Sequence, residues 1–292
     1  MAVPVAFLGV VLIWSTTPLA IQWSSEGAGF LFGVTARMVL GLLICLLVLR
    51  LAGIPLSWGK AARTTYVAAG LGIYGAMTSV YWAAQFIPSG WISVIFGLSP
   101  LLTSLLGLLW FKQEALTIEG YVGLSIGVLG LAVMFGAGLS ISVDTVYGVA
   151  AVLVSVLIHS ASAVWVAHLN HRQPPLAVTA GGLSVAAPLF VIAWFAFDGQ
   201  WPAELPDRTR YAILYLAIFG SVLGFFGYFY LLKHMAAVRV NLLTLITPVL
   251  ALLLGHRLNA EPLGAQVLLG AAMIMAGLLF FQRGATRLDV SR

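Results

Sequence analysis

The sequence predicts an all-α integral membrane protein: ten transmembrane helices arranged as two inverted five-helix repeats (5+5), with both termini cytoplasmic. Three observations carry that expectation. The chain has 292 residues, of which 61% are hydrophobic and only 8% charged. A soluble domain carries about 25% charged residues, so this chain lacks the groups to cover itself in water. Apolar runs long enough to cross a bilayer, about 20 residues each, fill most of its length. Its second half also repeats features of its first.

The runs fall at 4–23, 30–49, 64–86, 89–111, 117–136, 146–168, 175–197, 210–232, 236–256 and 262–282. The longest connections, 50–63 and 198–209, leave no room for a soluble domain. The first run has no basic stretch before it and no convincing cleavage site, so a retained span is expected rather than a signal peptide. The lone Cys45 lies within an apolar run, which excludes a disulfide framework. The net charge of +5 is scattered singly between apolar runs, so nucleic acid is not an expected partner.

Orientation follows from Lys and Arg, which favour the cytoplasmic side. With ten spans, one side collects Arg50, Lys60, Arg63, Lys112, Arg172, Lys233, Arg239, Arg283, Arg287 and Arg292. The other has Arg208, Arg210 and Arg257, while Arg37 lies inside a span. Both termini are therefore expected inside.

The repeat shows in two pairs of segments. "LIWSTTPLAIQW" at 12–23 parallels "LIHSASAVWVAH" at 157–168, with Trp14 against His159 and Thr17 against Ser162. "FGLSPLLTSLLGLLWFKQE" at 96–114 parallels "TLITPVLALLLGHRLNAE" at 244–261, with Pro100 against Pro248 and Gly107 against Gly255. After a one-residue slip Glu114 meets Glu261, Gly123 meets Gly270 and Gly130 meets Gly277. The halves are thus 1–140 and 141–292. Five spans is an odd number, so the second copy enters the membrane from the opposite side, the pattern of alternating-access transporters.

The 5+5 pattern, Trp14-Ser15 in the first span, the Ser99-Pro100 and Thr247-Pro248 pairs, and the Glu-then-Gly-rich fifth and tenth spans resemble the EamA-type branch of the drug/metabolite transporter (DMT) superfamily. Within that branch the chain is most similar to the YddG-type bacterial amino-acid exporters. The resemblance implies an exporter with a central cavity lined by spans 1, 3, 4, 6, 8 and 9. It also implies peripheral fifth and tenth spans that often help two subunits associate.

Helical spacing picks out the residues expected to face such a cavity. They are Trp14 and Thr17 on span 1, and Tyr74, Thr78, Tyr81 and Gln85 on span 3, with Trp82 beside them. Span 4 offers Ser93 and Phe96; span 6 offers His159, Ser162 and Trp165. Span 8 contributes Tyr230 beside Phe226, and span 9 contributes Asn241 and Thr244. For the hydroxyls the alternative is a bond back to their own helix carbonyls. Pro100 and Pro248 each remove a backbone donor in mid-span and are candidate hinges. Gly120, Gly123, Gly127 and Gly130, echoed by Gly270 and Gly277, form small faces for close helix packing, or a homodimer seam.

The residues that are missing narrow the function. No Asp or Glu lies deep in a span, so neither a permanent cation nor a coupling proton finds a buried carboxylate. Arg37, the one basic residue inside a span, could meet a carboxylate, but the expectation is that it snorkels to an interface or pairs with helix carbonyls. His168 and His171 have ligand-like spacing without an acid or thiol, so no metal or cofactor is expected. HExxH, GxSxG and paired in-membrane acids are absent, which argues against an enzyme. The expected function is an inner-membrane exporter of aromatic or larger neutral amino acids and similar neutral or zwitterionic metabolites, with facilitative transport. A proton-coupled multidrug or broad metabolite efflux transporter, or a non-transporting sensor or scaffold, is the alternative.

Overall fold

The computed structural model describes residues 2–111, 117–136, 142–169, 173–235, 240 and 243–290, with backbone alone at 135–136, 232, 244–245, 282 and 284–290. The described chain is all-helical. Its helices are α1 (Val3–Ser25), α2 (Phe30–Leu51), α3 (Lys60–Ala83), α4 (Ser89–Phe96), α5 (Ser99–Phe111), α6 (Ile118–Gly136), α7 (Val143–Leu169), α8 (Pro175–Phe197), α9 (Asp207–Tyr215), α10 (Gly224–His234), α11 (Leu243–Asn259) and α12 (Ala265–Val290). A π-helical stretch, Leu216–Leu223, joins α9 to α10. These elements fall on the ten apolar runs, with α4 and α5 sharing the fourth and α9, the π stretch and α10 sharing the eighth.

Six of the runs are long and apolar enough to cross a bilayer: Val3–Ser25, Phe30–Leu51, Ser89–Phe111, Val143–Leu169, Pro175–Phe197 and Asp207–Leu231. Ile118–Met134 and Ala265–Phe281 are shorter apolar helices. α3 matches the six in length at 24 residues, but its glycines, tyrosines, tryptophan and hydroxyls lower its hydropathy along the whole helix, beyond the charged first turns at Lys60 and Arg63. Local chemistry sets several boundaries. Pro4 and Pro175 stand in the first turns of α1 and α8, where a missing N–H costs nothing. Gly27 and Gly29, at φ +68° and +77°, make the tight turn into α2.

The outer faces are as apolar as the interior. Leu8, Leu47, Ile192 and Phe195 are all more than half exposed, as suits a surface whose solvent is lipid. Inside, α3 packs on α7 and α8, α2 on α8, and α11 on α1 and α4. α12 packs chiefly on α6, and this pair stands beside the main bundle.

Glycines close that pair. A Cβ on Gly277 would lie 2.5 Å from the Gly123 carbonyl oxygen, and one on Gly270 would lie 2.6 Å from that of Gly130. The contact is reciprocal: Gly123 faces Gly277, and Gly130 faces Gly270. These faces are spent on one another within the chain, so a homodimer through the fifth or tenth span would have to use other faces of α6 and α12.

The fourth run is broken rather than kinked. α4 ends at Phe96, Gly97 and Leu98 form a turn, and α5 restarts at Ser99-Pro100. Pro100 thus occupies the first turn of a new helix, where its missing donor and fixed φ are favourable. Pro248 instead lies inside a continuous α11.

Candidate substrate-binding site

A cavity of about 100 Å³ opens in the bundle. Trp14 and Thr17 of α1, Met77 and Val80 of α3, Ser93 and Phe96 of α4, and His159 of α7 line it. Arg37 of α2, Gly220 of the π stretch, Phe225 of α10 and Thr247 of α11 complete much of the wall.

Rings crowd around His159. Its centroid lies 6.3 Å from Trp14, 5.9 Å from Phe96 and 5.6 Å from Tyr228. Trp14 and Tyr228 are themselves 5.1 Å apart. Aromatic pairs at such separations contribute about 0.5–1.5 kcal/mol each beyond area burial, so the rings support one another without any ligand. No hydrogen bond from the described residues reaches the His159 ring or the Ser93 hydroxyl. Both polar groups therefore remain available to a molecule in the cavity.

Among the sequence candidates, Trp14, Thr17, Ser93, Phe96 and His159 come together here. The Thr17 hydroxyl donates to its own helix at the Ile13 carbonyl, 2.7 Å away. Tyr81 is fully buried beside Arg37 rather than lining the cavity. The remaining span-3 residues do not converge: α3 lies against α7 and α8, and its candidate stripe is divided between them. Tyr74 packs on Phe190 at 4.8 Å, and Thr78 bonds back to the Tyr74 carbonyl. Trp82 faces outward against Phe86 and Tyr147, and the exposed Gln85 donates to the Trp82 carbonyl.

On α7, Ser162 donates to the Ala68 carbonyl at 3.0 Å where α7 crosses α3. Trp165 is exposed against Trp110 and Phe111. Six residues from His159, Trp165 lies about 120° around the helix from the cavity face, whereas Ser162 is only about 60° away and is drawn to α3 by its bond to Ala68. Tyr230 stacks on His234 and packs against Phe226, away from the lining. Asn241 and the side chain of Thr244 lie outside the described residues.

Arg37 corrects the expectation of snorkelling. It is 1% exposed and stands in the cavity wall. Its Nε donates to Ser221 Oγ at 2.9 Å, and its Nη1 reaches Tyr81 Oη at 3.5 Å. It lies seven residues into α2, about 10 Å from that end. The sequence reading ranked a meeting with a carboxylate below snorkelling, because burial of a lone arginine is not visible in the sequence. On span 8 the sequence reading chose Phe226 and Tyr230, whereas the cavity is bordered by Gly220 and Phe225, with Tyr228 beside His159. The available signal was the glycine-dense "FGSVLGFFGYF" at 219–229, where small residues let helices and guanidinium approach.

A second polar cluster ties one end of the bundle. Glu261, 9% exposed, accepts from Ser89 N at 3.0 Å, Ser89 Oγ at 2.6 Å and Gly90 N at 3.1 Å. It thereby caps the positive end of α4. Asn259 donates to Gln22 Oε1 and accepts from Trp23 Nε1 and Arg208, and Arg208 pairs with Glu26 at 3.6 Å. These contacts join the ends of α1 and α11 to the starts of α4 and α9. Among the described residues, no cluster of three His, Cys, Asp or Glu could hold a metal ion.

The family model for the EamA-like transporter family matches residues 2–136 and 146–282. The chain belongs to the EamA-like transporter family. It is 28% identical to an uncharacterized transporter of Archaeoglobus fulgidus, over 73% of this chain and 76% of that one. It is 24% identical to the uncharacterized transporter YoaV of Bacillus subtilis, over 94% and 95% respectively. It is 25% identical to a protein of Salmonella typhimurium named a probable amino-acid metabolite efflux pump, over 75% and 76%. A crystal structure of another protein shares the fold, with a TM-score of 0.72 at 22% identity over 98% of each chain. As an EamA-like protein with this many apolar helices, the chain is a multi-pass membrane transporter.

Proposed function

We propose that this EamA-like protein is a ten-span exporter of the bacterial inner membrane. It moves aromatic or larger neutral amino acids and similar small metabolites by alternating access, facilitatively, with both termini cytoplasmic. The observation that carries this reading is the ring-and-hydroxyl cavity, whose two principal rings, Trp14 and His159, come from equivalent positions in the two sequence halves and lie 6.3 Å apart. Such a lining suits an apolar body with a few polar groups. The reciprocal α6–α12 glycine contact supports two inverted halves, 1–140 and 141–292. The printed name of the Salmonella relative supports an amino-acid-like cargo.

Ligand clefts usually measure about 300–1,000 Å³, well above the cavity here. A cargo of amino-acid size therefore enters only when the surrounding helices separate. On this orientation the Asn259–Glu261 cluster is the extracytoplasmic end, and outward opening loosens it. The broken fourth run and Pro248 provide hinges on two of the helices concerned. The only deeply buried carboxylate among the acids described is Glu261, and its hydrogen bonds commit it to α4. This favours facilitated movement over proton coupling.

The test is counterflow in proteoliposomes with no ion gradient, using labelled phenylalanine, leucine, adenosine and a quaternary amine. Gradient-free movement of the amino acids is expected, with none of the amine. Amine movement, or flux of any compound only under a pH gradient, would replace this reading with coupled drug efflux.

A further inference from the structure

We propose that Arg37 anchors a carboxylate on the cargo, and that the cavity recognises its cargo as a carboxylate with an apolar remainder, whether or not an ammonium group is present. This rests on the reading of the cavity as the transport site, and it widens the cargo from amino acids to apolar monocarboxylates.

The argument starts from an unbalanced charge. A guanidinium remains protonated and offers five N–H donors. Among the described residues, Arg37 meets neutral hydrogen-bond partners only, the hydroxyls of Ser221 and Tyr81, with its carbon 6.0 Å from the Tyr81 ring centroid. Neither ion pair formed by the described residues involves it. A buried cation without a counter-charge is costly, and ionisable groups inside membrane bundles mark substrate paths. An anion entering the cavity meets a charge for which the described residues supply no partner.

The local backbone supports a site rather than an accident of packing. A Cβ at Gly220 would lie 2.9 Å from Nη2, so glycine leaves room for the guanidinium. Gly220 belongs to the π-helical stretch, and π-helical turns concentrate at functional sites. The Arg37 fork suits bidentate carboxylate recognition. Trp14, Phe96 and Phe225 line the same cavity and would receive the apolar remainder.

No carboxylate lines the cavity among the described residues. A cargo ammonium therefore finds ring faces and hydroxyls but no counter-ion, and it is tolerated rather than required. An amide or a simple amine leaves Arg37 unpaired and should bind poorly.

The experiment is binding of labelled phenylalanine to the purified protein, competed by 3-phenylpropionate, phenylalaninamide, phenethylamine and adenosine, with counterflow of the same compounds alongside. 3-Phenylpropionate should compete within about tenfold of phenylalanine, and the amide and amine about tenfold or more worse. Arg37→Gln should weaken carboxylate binding about tenfold or more, with partial recovery in Arg37→Lys. Because Arg37 is packed in the core, the unmodified protein with the ligand series decides the matter even where Arg37→Gln does not fold. Equal competition by the amide or amine, adenosine binding without carboxylate binding, or no binding at all would overturn the anchor. Adenosine counterflow untouched by Arg37→Gln would keep the exporter and remove the anchor. Arg37-dependent carboxylate binding without flux would do the reverse.

Discussion

His159→Ala or Trp14→Ala is expected to reduce counterflow about tenfold or more, since each removes a ring that buries about 150–250 Å² or anchors one that does. Both rings border an existing cavity, so the variants should still fold as single species while transport falls. His159→Phe separates two roles of the imidazole. It keeps the ring contacts with Trp14, Phe96 and Tyr228 but removes two nitrogens that no described residue bonds. If those nitrogens serve the cargo, His159→Phe should fail nearly as badly as His159→Ala. Recovery of flux in His159→Phe would reduce His159 to a space-filling ring. Initial rates over a range of internal phenylalanine concentrations make the comparison quantitative.

Gly277→Ala is expected to destabilise the protein strongly, by about 3 kcal/mol or more, because its Cβ would meet backbone atoms: the Gly123 carbonyl oxygen at 2.5 Å and the Gly127 nitrogen at 2.8 Å. Backbone cannot swing aside as a side chain can, so α6 and α12 must separate. The same substitution at Gly9, where nothing lies within 4 Å of the added carbon, should be neutral or raise stability by up to about 1 kcal/mol. Thermal unfolding in detergent reads both. Opposite signs for one chemical change tie the effect to the glycine seam; equal small effects would mean that the two helices are not closely apposed.

The long apolar runs were legible because membrane helices need length and hydrophobicity more than pattern, and the described helices fall on those runs. Trp14 and His159 were legible because the repeat places them at equivalent positions. The span-3 stripe does not converge on this cavity, for a related reason. In a helix that is apolar on every side, periodicity reports which residues share a face but not which neighbour that face meets. Thus Tyr74 went to Phe190, and Trp82 faced outward. Ser162 bonds to the Ala68 carbonyl, as hydroxyls do at interhelix crossings, and spacing alone does not show this. Arg37 was undervalued because a single charge in a span reads as a liability until its burial is seen. The break at Gly97-Leu98 had a signal in the adjacent Ser99-Pro100 pair, yet proline alone does not distinguish a kink from a restart.

The central claim is that this cavity is reached from both sides of the membrane in turn. Ser93→Cys, with the fully buried Cys45 replaced by alanine, places a single thiol at the cavity wall. Its labelling by a membrane-impermeant reagent, in right-side-out and inside-out vesicles, tests that claim most directly. The account predicts labelling from either face and slower labelling with saturating phenylalanine. Labelling from only one face under every condition, or from neither, would contradict it.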